Sequence, residues 1–383
     1  MNKVILIGGN HHNILGAVRS FGVNKIYPFG IFIGEGAANS FARSSKYWAQ
    51  TWAIDSEENL IDFLLNHFEN EKEKPVIICC SDASEKILDE NYECLKGHFL
   101  LSSLQKGQGE IAQLMDKYKQ VKLAEKYDIP VAQTFIVNLE NIFLPKNMLY
   151  PCIVKPIISA EGKKVDICKC DTYRQTMEYL QTMKAKGYKS ILLQQYLAYD
   201  AEYLMVGSIH GGKCCWFNSK KIRIWPIIGG SSCYLQISRK KYVSQFYNNI
   251  RELFKKIQYD GIFDVEAFDV NGKMYLNEIN WRNSGTVYSC MGTNVHYLVV
   301  WYYWKIGKQL PKKLTLFCED ENVYSIDESL DLRYLICGKI TLRRWLQDRK
   351  RAKSFAIWFR SDLKPAIIEY IYLVEKFIRR HRV

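Results

Sequence analysis

Long apolar runs are missing from this sequence. No stretch is both uncharged and apolar over the ~20 residues that a membrane-spanning helix needs. The opening residues, MNKVILIGGN, hold only a short apolar run with no cleavage pattern behind it, so a cytoplasmic protein is expected. No G-x-G-x-x-G is present, which excludes the dinucleotide fingerprint. Paired Cys/His finger spacings and base-stacking RNA-binding patterns are also absent. The 12 cysteines lack zinc-ligand spacing and are expected as reduced thiols that fill space as small hydrophobes. Internal repeats and low-complexity segments are lacking.

What remains is a chain of 383 residues, 48% hydrophobic and 24% charged, too apolar for disorder and long enough for two or three lobes with their own cores. Its net charge of +13 is unevenly placed. Residues 331–383 carry 14 Lys/Arg against 5 Asp/Glu, a net of +9, which leaves +4 for all the rest. The basic character belongs to the tail, and no nucleic-acid partner is expected.

Residues 3–8 (KVILIG) and 75–80 (PVIICC) read as buried parallel strands, with helical spacing between them at Ile14, Leu15, Val18 and Phe21 and over residues 59–68. Residues 25–27 and 29–33 read as further strand material. This alternation predicts an open α/β sheet over roughly the first hundred residues. His11 and His12, beside the Gly8-Gly9 turn, either touch a ligand or form a solvated loop pair, and the second is the default reading. A helix is expected over 110–128, ended by Ile129-Pro130, and further helices over 172–186 and 240–258. Strands are expected over 133–137, 152–156, 165–168, 191–196, 203–209 and 213–217, the last two joined by a turn at Gly211-Gly212. Lys155 ends an apolar strand. Burying a lysine without an anionic partner is costly, so it is either a snorkelling edge residue or a ligand-facing cation.

The most informative segment is a hairpin. Residues 263–269 (FDVEAFD) and 273–280 (KMYLNEIN) flank the tight turn Val270-Asn271-Gly272. Side chains alternate along a strand, so Asp264 and Glu266 share one face, as do Glu278 and Asn280. Pairing across the hairpin brings Glu266 near Glu278. Two carboxylates and an amide carbonyl form a hard-oxygen set suited to Mg²⁺ bridging phosphate oxygens. The alternative is two solvated acids, against which stands the apolar setting from Tyr275-Leu276 to Trp281.

Glu278-Ile279-Asn280-Trp281-Arg282, with Glu266 upstream, resembles the E-x-N-x-R signature of ATP-grasp enzymes. The resemblance extends from Met1 to about Pro311. Asp116-Lys117, Ala124 and Ile129-Pro130 resemble the D-K…A…G-I-P element, with Asp128 in place of the usual glycine, and Lys117 would bind ATP phosphate. Ile153-Val154-Lys155-Pro156 resembles the V-K-P element whose lysine contacts the α/β phosphates. Ser159-Ala160-Glu161-Gly162 stands where the family keeps a loop over the triphosphate, implying phosphate contacts from Ser159 and Gly162. Gln194, Gln195, Tyr196 and Leu197 resemble the adenine-holding hinge, with Gln195 where glutamate is common. Glu202 matches the ribose-binding position. Arg223 and Arg282 are the two candidates for the arginine that acts in catalysis.

The resemblance implies an α/β ATP-grasp fold: an N-terminal open parallel α/β domain (1–109), two ATP-clasping subdomains (110–190 and 191–325) and a basic helical tail (326–383). It implies ATP and Mg²⁺ as cofactors, with two ions expected and Mn²⁺ as a substitute, and Glu266, Glu278 and Asn280 as metal ligands. The implied reaction joins a small-molecule or precursor carboxylate to an amine through an acylphosphate. Looser similarity to D-aspartate ligase-like enzymes, at residues 6–10, 19–22, 41–47, Ser81-Asp82 and 359–362, suggests work on cell-wall or surface-glycan precursors. Family substrates sit in the N-terminal lobe and around residues 229–232 and 284–286. The rival readings are a silent nucleotide-binding module or other non-ligase, and a nucleic-acid binder acting through the tail. Residues 342–383 themselves have two readings: a helix packed on the enzyme with cations at its C-terminal end, or a peripheral contact with anionic lipid at the inner membrane face.

Overall fold

The computed structural model of the chain describes residues 1–381 except 106, 158–165, 228–229, 239–240 and 319. The first lobe is a parallel sheet of β1 (Val4–Gly8), β2 (Phe29–Ile33), β3 (Gln50–Ile54) and β4 (Val76–Cys79), in the order β3-β2-β1-β4. Every residue of β1 and β4 is buried, which is why both read as unbroken apolar runs. Helices His12–Gly22, Leu60–Phe68 and Asp82–Glu90 follow in turn. Residues 25–27 are not a strand, because Lys25 turns the chain with φ +61°. A two-residue strand, β5 (Ser103–Leu104), leaves this lobe to pair with the large sheet.

The helix expected over 110–128 is two helices, Glu110–Leu114 and Lys117–Lys126. Asp116 breaks it by capping the second: its Oδ1 accepts from the N–H of Tyr118 (2.7 Å) and Lys119 (3.1 Å). A small antiparallel sheet follows, made of β6 (Thr134–Asn138), β7 (Cys152–Lys155), β8 (Cys168–Cys170) and β9 (Ser190–Gln195), in the order β6-β9-β7-β8. The strand expected over 165–168 starts at Cys168 instead. The expected phosphate loop, with Ser159 and Gly162, lies outside the described residues.

The large sheet holds β10 (Ala201–His210), β11 (Lys213–Trp225), β12 (Ser231–Ile237), β13 (Tyr259–Val270), β14 (Lys273–Asn280), β15 (Tyr324–Ile326) and β16 (Ala352–Phe355), in the order β14-β13-β10-β11-β12-β15-β16. Helix Lys241–Lys256 covers one face through Val243, Tyr247, Ile250 and Phe254. On the other face, Leu204, Val206 and Phe217 share a core with Val300 and Trp301 of helix Tyr297–Lys305 and with Val4, Leu6 and Ile78 of the first lobe. That common core fixes the parallel lobe against the large sheet.

Residues 326–383 are not helical throughout. Strand β16 runs parallel to β15 and extends the sheet, placing Ala352 and Ser354 inward. Around it lie helices Glu328–Ile336, Leu342–Arg351 and Lys364–His381. Buried Arg19 ties this segment to the first lobe, with Nε 3.0 Å from Asp362 Oδ2 and a further donor 2.8 Å from the Asp362 carbonyl.

Candidate nucleotide and metal site

The hairpin geometry follows from its turn and from a bulge that passes over Asn277 between Leu276 and Glu278. Asn271 and Gly272 adopt φ +52° and +79°, the left-handed pair that a two-residue type I′ connection requires. The register sets Glu266 opposite Glu278 and Asp264 opposite Asn280. Asn280 Oδ1 accepts from Arg282 (3.3 Å), and Arg282 Nε lies 3.1 Å from Asp82 Oδ1, at the C-terminal end of β4. Asn283 N–H donates to the Cys79 carbonyl (3.0 Å). The parallel lobe therefore presents the carboxyl ends of its strands to the acid hairpin, the place where open α/β sheets take their ligands.

Four cations surround the acids. Lys117 Nζ is 3.6 Å from Glu278, and Lys155 Nζ, buried at the end of β7, donates to Gln194 Oε1 (2.8 Å). Lys221 on β11 bonds both Glu202 on β10 and Glu266 on β13 (3.0 Å). Arg282 completes the set.

Burial pushes the Lys155 ammonium down to about 7, helped by the charge of Lys117 and opposed by Glu278 and Glu266. Lys221 moves the other way, since two carboxylate neighbours outweigh its desolvation. Burial raises Glu202 despite Lys221, whereas Glu266, also buried, is held low by the ammonium of Lys221. Asp264 is pushed up to about 6, by burial first and then by Glu266, and its Oδ1 is buried without a hydrogen-bond partner.

An orphaned carboxylate oxygen, two facing glutamates and an amide oxygen are the donor chemistry that a hard cation takes. Among the described residues, no group of three His, Cys, Asp or Glu converges as an all-protein cage. The residues present fit Mg²⁺, which keeps several ligands from phosphate and water.

The structure distributes the other expected residues unevenly. The segment after β9 links the small sheet to the large one; Gln195 N–H donates to the Gln133 carbonyl (2.8 Å) and Tyr196 N–H to Pro151 (2.9 Å), with Leu197 half-buried beyond. Tyr199 stacks on Phe268 at 4.4 Å. Gln194 stands behind the hinge as the partner of Lys155 and Thr134. Glu202 faces Lys221. Arg223 is not gathered into the cluster in the same way: it holds Asp331 with two hydrogen bonds (2.7 and 2.9 Å) and Asp348 with a third (2.7 Å), over the Tyr234 ring.

Sequence reasoning missed the placement of Lys221, although a signal was there. Folding the chain about Gly211-Gly212 sets residue 221 opposite residue 202, which is the observed pairing.

A small sheet and a large sheet joined by a hinge, with cations and acids between them, define the architecture of the molecule. Residues 122–294 match the model of the ATP-grasp domain, and the chain has the ATP-grasp fold. It superposes on the biotin carboxylase of Campylobacter jejuni in its ATP-analogue complex with TM-score 0.64 at 16% identity, covering 82% of this chain and 73% of that one. For the N5-carboxyaminoimidazole synthetase of Staphylococcus aureus complexed with ADP the TM-score is 0.63 at 17% identity, covering 81% and 79%. For the L-amino acid ligase of Bacillus licheniformis it is 0.61 at 11%, covering 80% and 74%. At these identities the likeness establishes the fold. No protein of curated function matches the sequence.

Proposed function

We propose that the protein is an ATP-dependent carboxylate–amine ligase. The observation that carries this reading is the register pairing of Glu266 with Glu278 beside Lys117, Lys155, Lys221 and Arg282. A carboxylate is a poor acyl donor, because its leaving group would be oxide. In the proposed reaction a carboxylate oxygen of the first substrate attacks the γ-phosphorus of ATP and ADP leaves. The amine nitrogen of the second then attacks the acyl carbon, phosphate departs, and the amine proton passes to solvent.

Glu266, Glu278 and Asn280 would hold Mg²⁺, which supplies charge neutralisation on the phosphates. Lys117 and Lys155 bind and orient the triphosphate, and Arg282 steadies charge on the transferring group from the side of the parallel lobe. Lys221 holds Glu202 and Glu266 in place. The residues between β9 and β10 receive the adenine. Asp82, His12 and residues 284–286 border the carboxyl ends of β1 and β4, where the substrates enter; His12 lies 3.1 Å from the Gly285 carbonyl. Amino acids, uronic acids and cell-wall or surface-glycan precursors are the substrate classes to try, since acceptor choice resides in such loops.

The test is release of ADP and phosphate by the purified protein with Mg²⁺–ATP against such a panel. Substrate-dependent release coupled to a new amide supports the reading. Release that no carboxylate–amine pair stimulates sinks it.

A further inference from the structure

The last helix, Lys364–His381, turns an apolar side to water. Ile367, Ile371, Val374 and Ile378 recur four, three and four residues apart, so they form one stripe along the helix. Each is between 42% and 57% exposed. Ile368 and Tyr372 widen the stripe. The inner side is anchored. Ala366 is fully buried against Tyr288, Ala356 and Ile357, and the Tyr370 hydroxyl donates to Glu328 Oε1 (3.1 Å). The helix is thus docked by one face and carries branched apolar side chains on the other. On helix Leu342–Arg351 the charge of Arg349 bears on the Tyr370 hydroxyl, and that helix exposes Leu342 and Leu346.

The charge around the stripe is more one-sided than the composition indicates. Of the five acids in residues 331–383, Asp331 and Asp348 are buried against Arg223, Asp362 is buried against Arg19 and Glu369 is half-buried, which leaves Glu375 as the exposed acid. The cations stay outside: Arg343, Lys350, Lys353, Arg360, Lys364 and Lys376 are all exposed. Lys353 and Arg360 also line a cleft of about 220 Å³ with Trp358 and Phe359, just before the helix begins. The sequence beyond Ile378 adds Arg379, Arg380 and Arg382.

We propose that this C-terminal face binds an anionic membrane surface, with the last helix lying in the interface and its Ile367–Ile378 stripe inserted among the acyl chains. A stripe of aliphatic side chains rimmed by cations is complementary to a layer that is apolar beneath and negative above. A second copy of the chain is a poorer occupant, because a two-fold contact would set the same cations against each other. No described helix is long and apolar enough to cross a bilayer, so the contact lies along the surface.

The experiment is sedimentation of the full chain with phosphatidylcholine vesicles, with and without phosphatidylglycerol. The protein is expected to pellet only with the anionic vesicles and to be released by added salt. Ile371→Asp with Val374→Asp should lower the bound fraction by roughly tenfold or more. Both side chains are exposed, so the thermal unfolding curve should not move. Arg343→Glu with Lys350→Glu should weaken binding without touching the stripe. Absence of pelleting with anionic vesicles, or equal pelleting with neutral ones, overturns the proposal. So does a concentration-dependent dimer in light scattering that Ile371→Asp abolishes.

Discussion

Lys221 Nζ lies 3.0 Å from Glu266 Oε2, and the same ammonium also bonds Glu202, so one buried cation joins three neighbouring strands of the large sheet. Removing one member of a buried ionic cluster leaves the others uncompensated, which typically costs ~3–5 kcal/mol. Lys221→Met should therefore lower the unfolding free energy by about that amount in urea titration. Adding Glu202→Gln to it should restore part of the loss, because one fewer carboxylate is stranded. Full stability of Lys221→Met would show that the cluster contributes nothing.

Arg223, two residues further along β11, gives the same argument. Asp331 and Asp348 are almost wholly buried and rely on its guanidinium. Arg223→Ala should destabilise by ~3–5 kcal/mol. Arg223→Lys should recover only part, since an ammonium cannot reproduce the two-point contact with Asp331. If Arg223 is a strut, Arg223→Lys lowers the melting temperature while KM for ATP changes less than about twofold. A large rise in KM with unchanged melting would return it to the phosphate site.

Lys155 predicts a proton uptake. Its ammonium sits at about 7, with Lys117, Glu278 and Glu266 as the charged groups that bear on it and Gln194 as its hydrogen-bond partner. At pH 8 most of the free protein therefore holds it neutral. A triphosphate alongside favours the charged form and raises its pKa. Between the free and bound values, binding takes up a proton, and well below both it takes up none. Calorimetry of ATP-analogue binding in buffers of different ionisation enthalpy should show an uptake approaching one proton at pH 8, smaller at pH 6, and absent in Lys155→Met. Equal uptake in that variant assigns the proton elsewhere.

Much of the site was legible because its elements are local. The Asn-Gly turn marks the hairpin, and an apolar strand ending in lysine marks Lys155; strict pairing about that turn would set Glu266 against Asn277, and it is the bulge between Leu276 and Glu278 that brings Glu278 opposite. What escaped was long-range. Lys221 sits in the run Lys220-Lys221-Ile222-Arg223, which reads as a solvated edge until its partners 19 and 45 residues away are known. Arg223 finds its aspartates 108 and 125 residues downstream, in a segment whose excess of cations suggested a basic helical tail. Local pattern cannot show that β16 would fold back beside β15 and bury the few acids of that segment.

The central claim is that the facing glutamates serve phosphoryl transfer. The direct measurement is ADP release with Mg²⁺–ATP and a stimulating carboxylate–amine pair, compared between the native protein and Glu278→Gln, which keeps the shape of the side chain and removes its charge. The account predicts a loss of roughly a hundredfold or more, as for removal of other transition-state charge partners, with unchanged melting. Substrate-stimulated turnover that survives Glu278→Gln would contradict it.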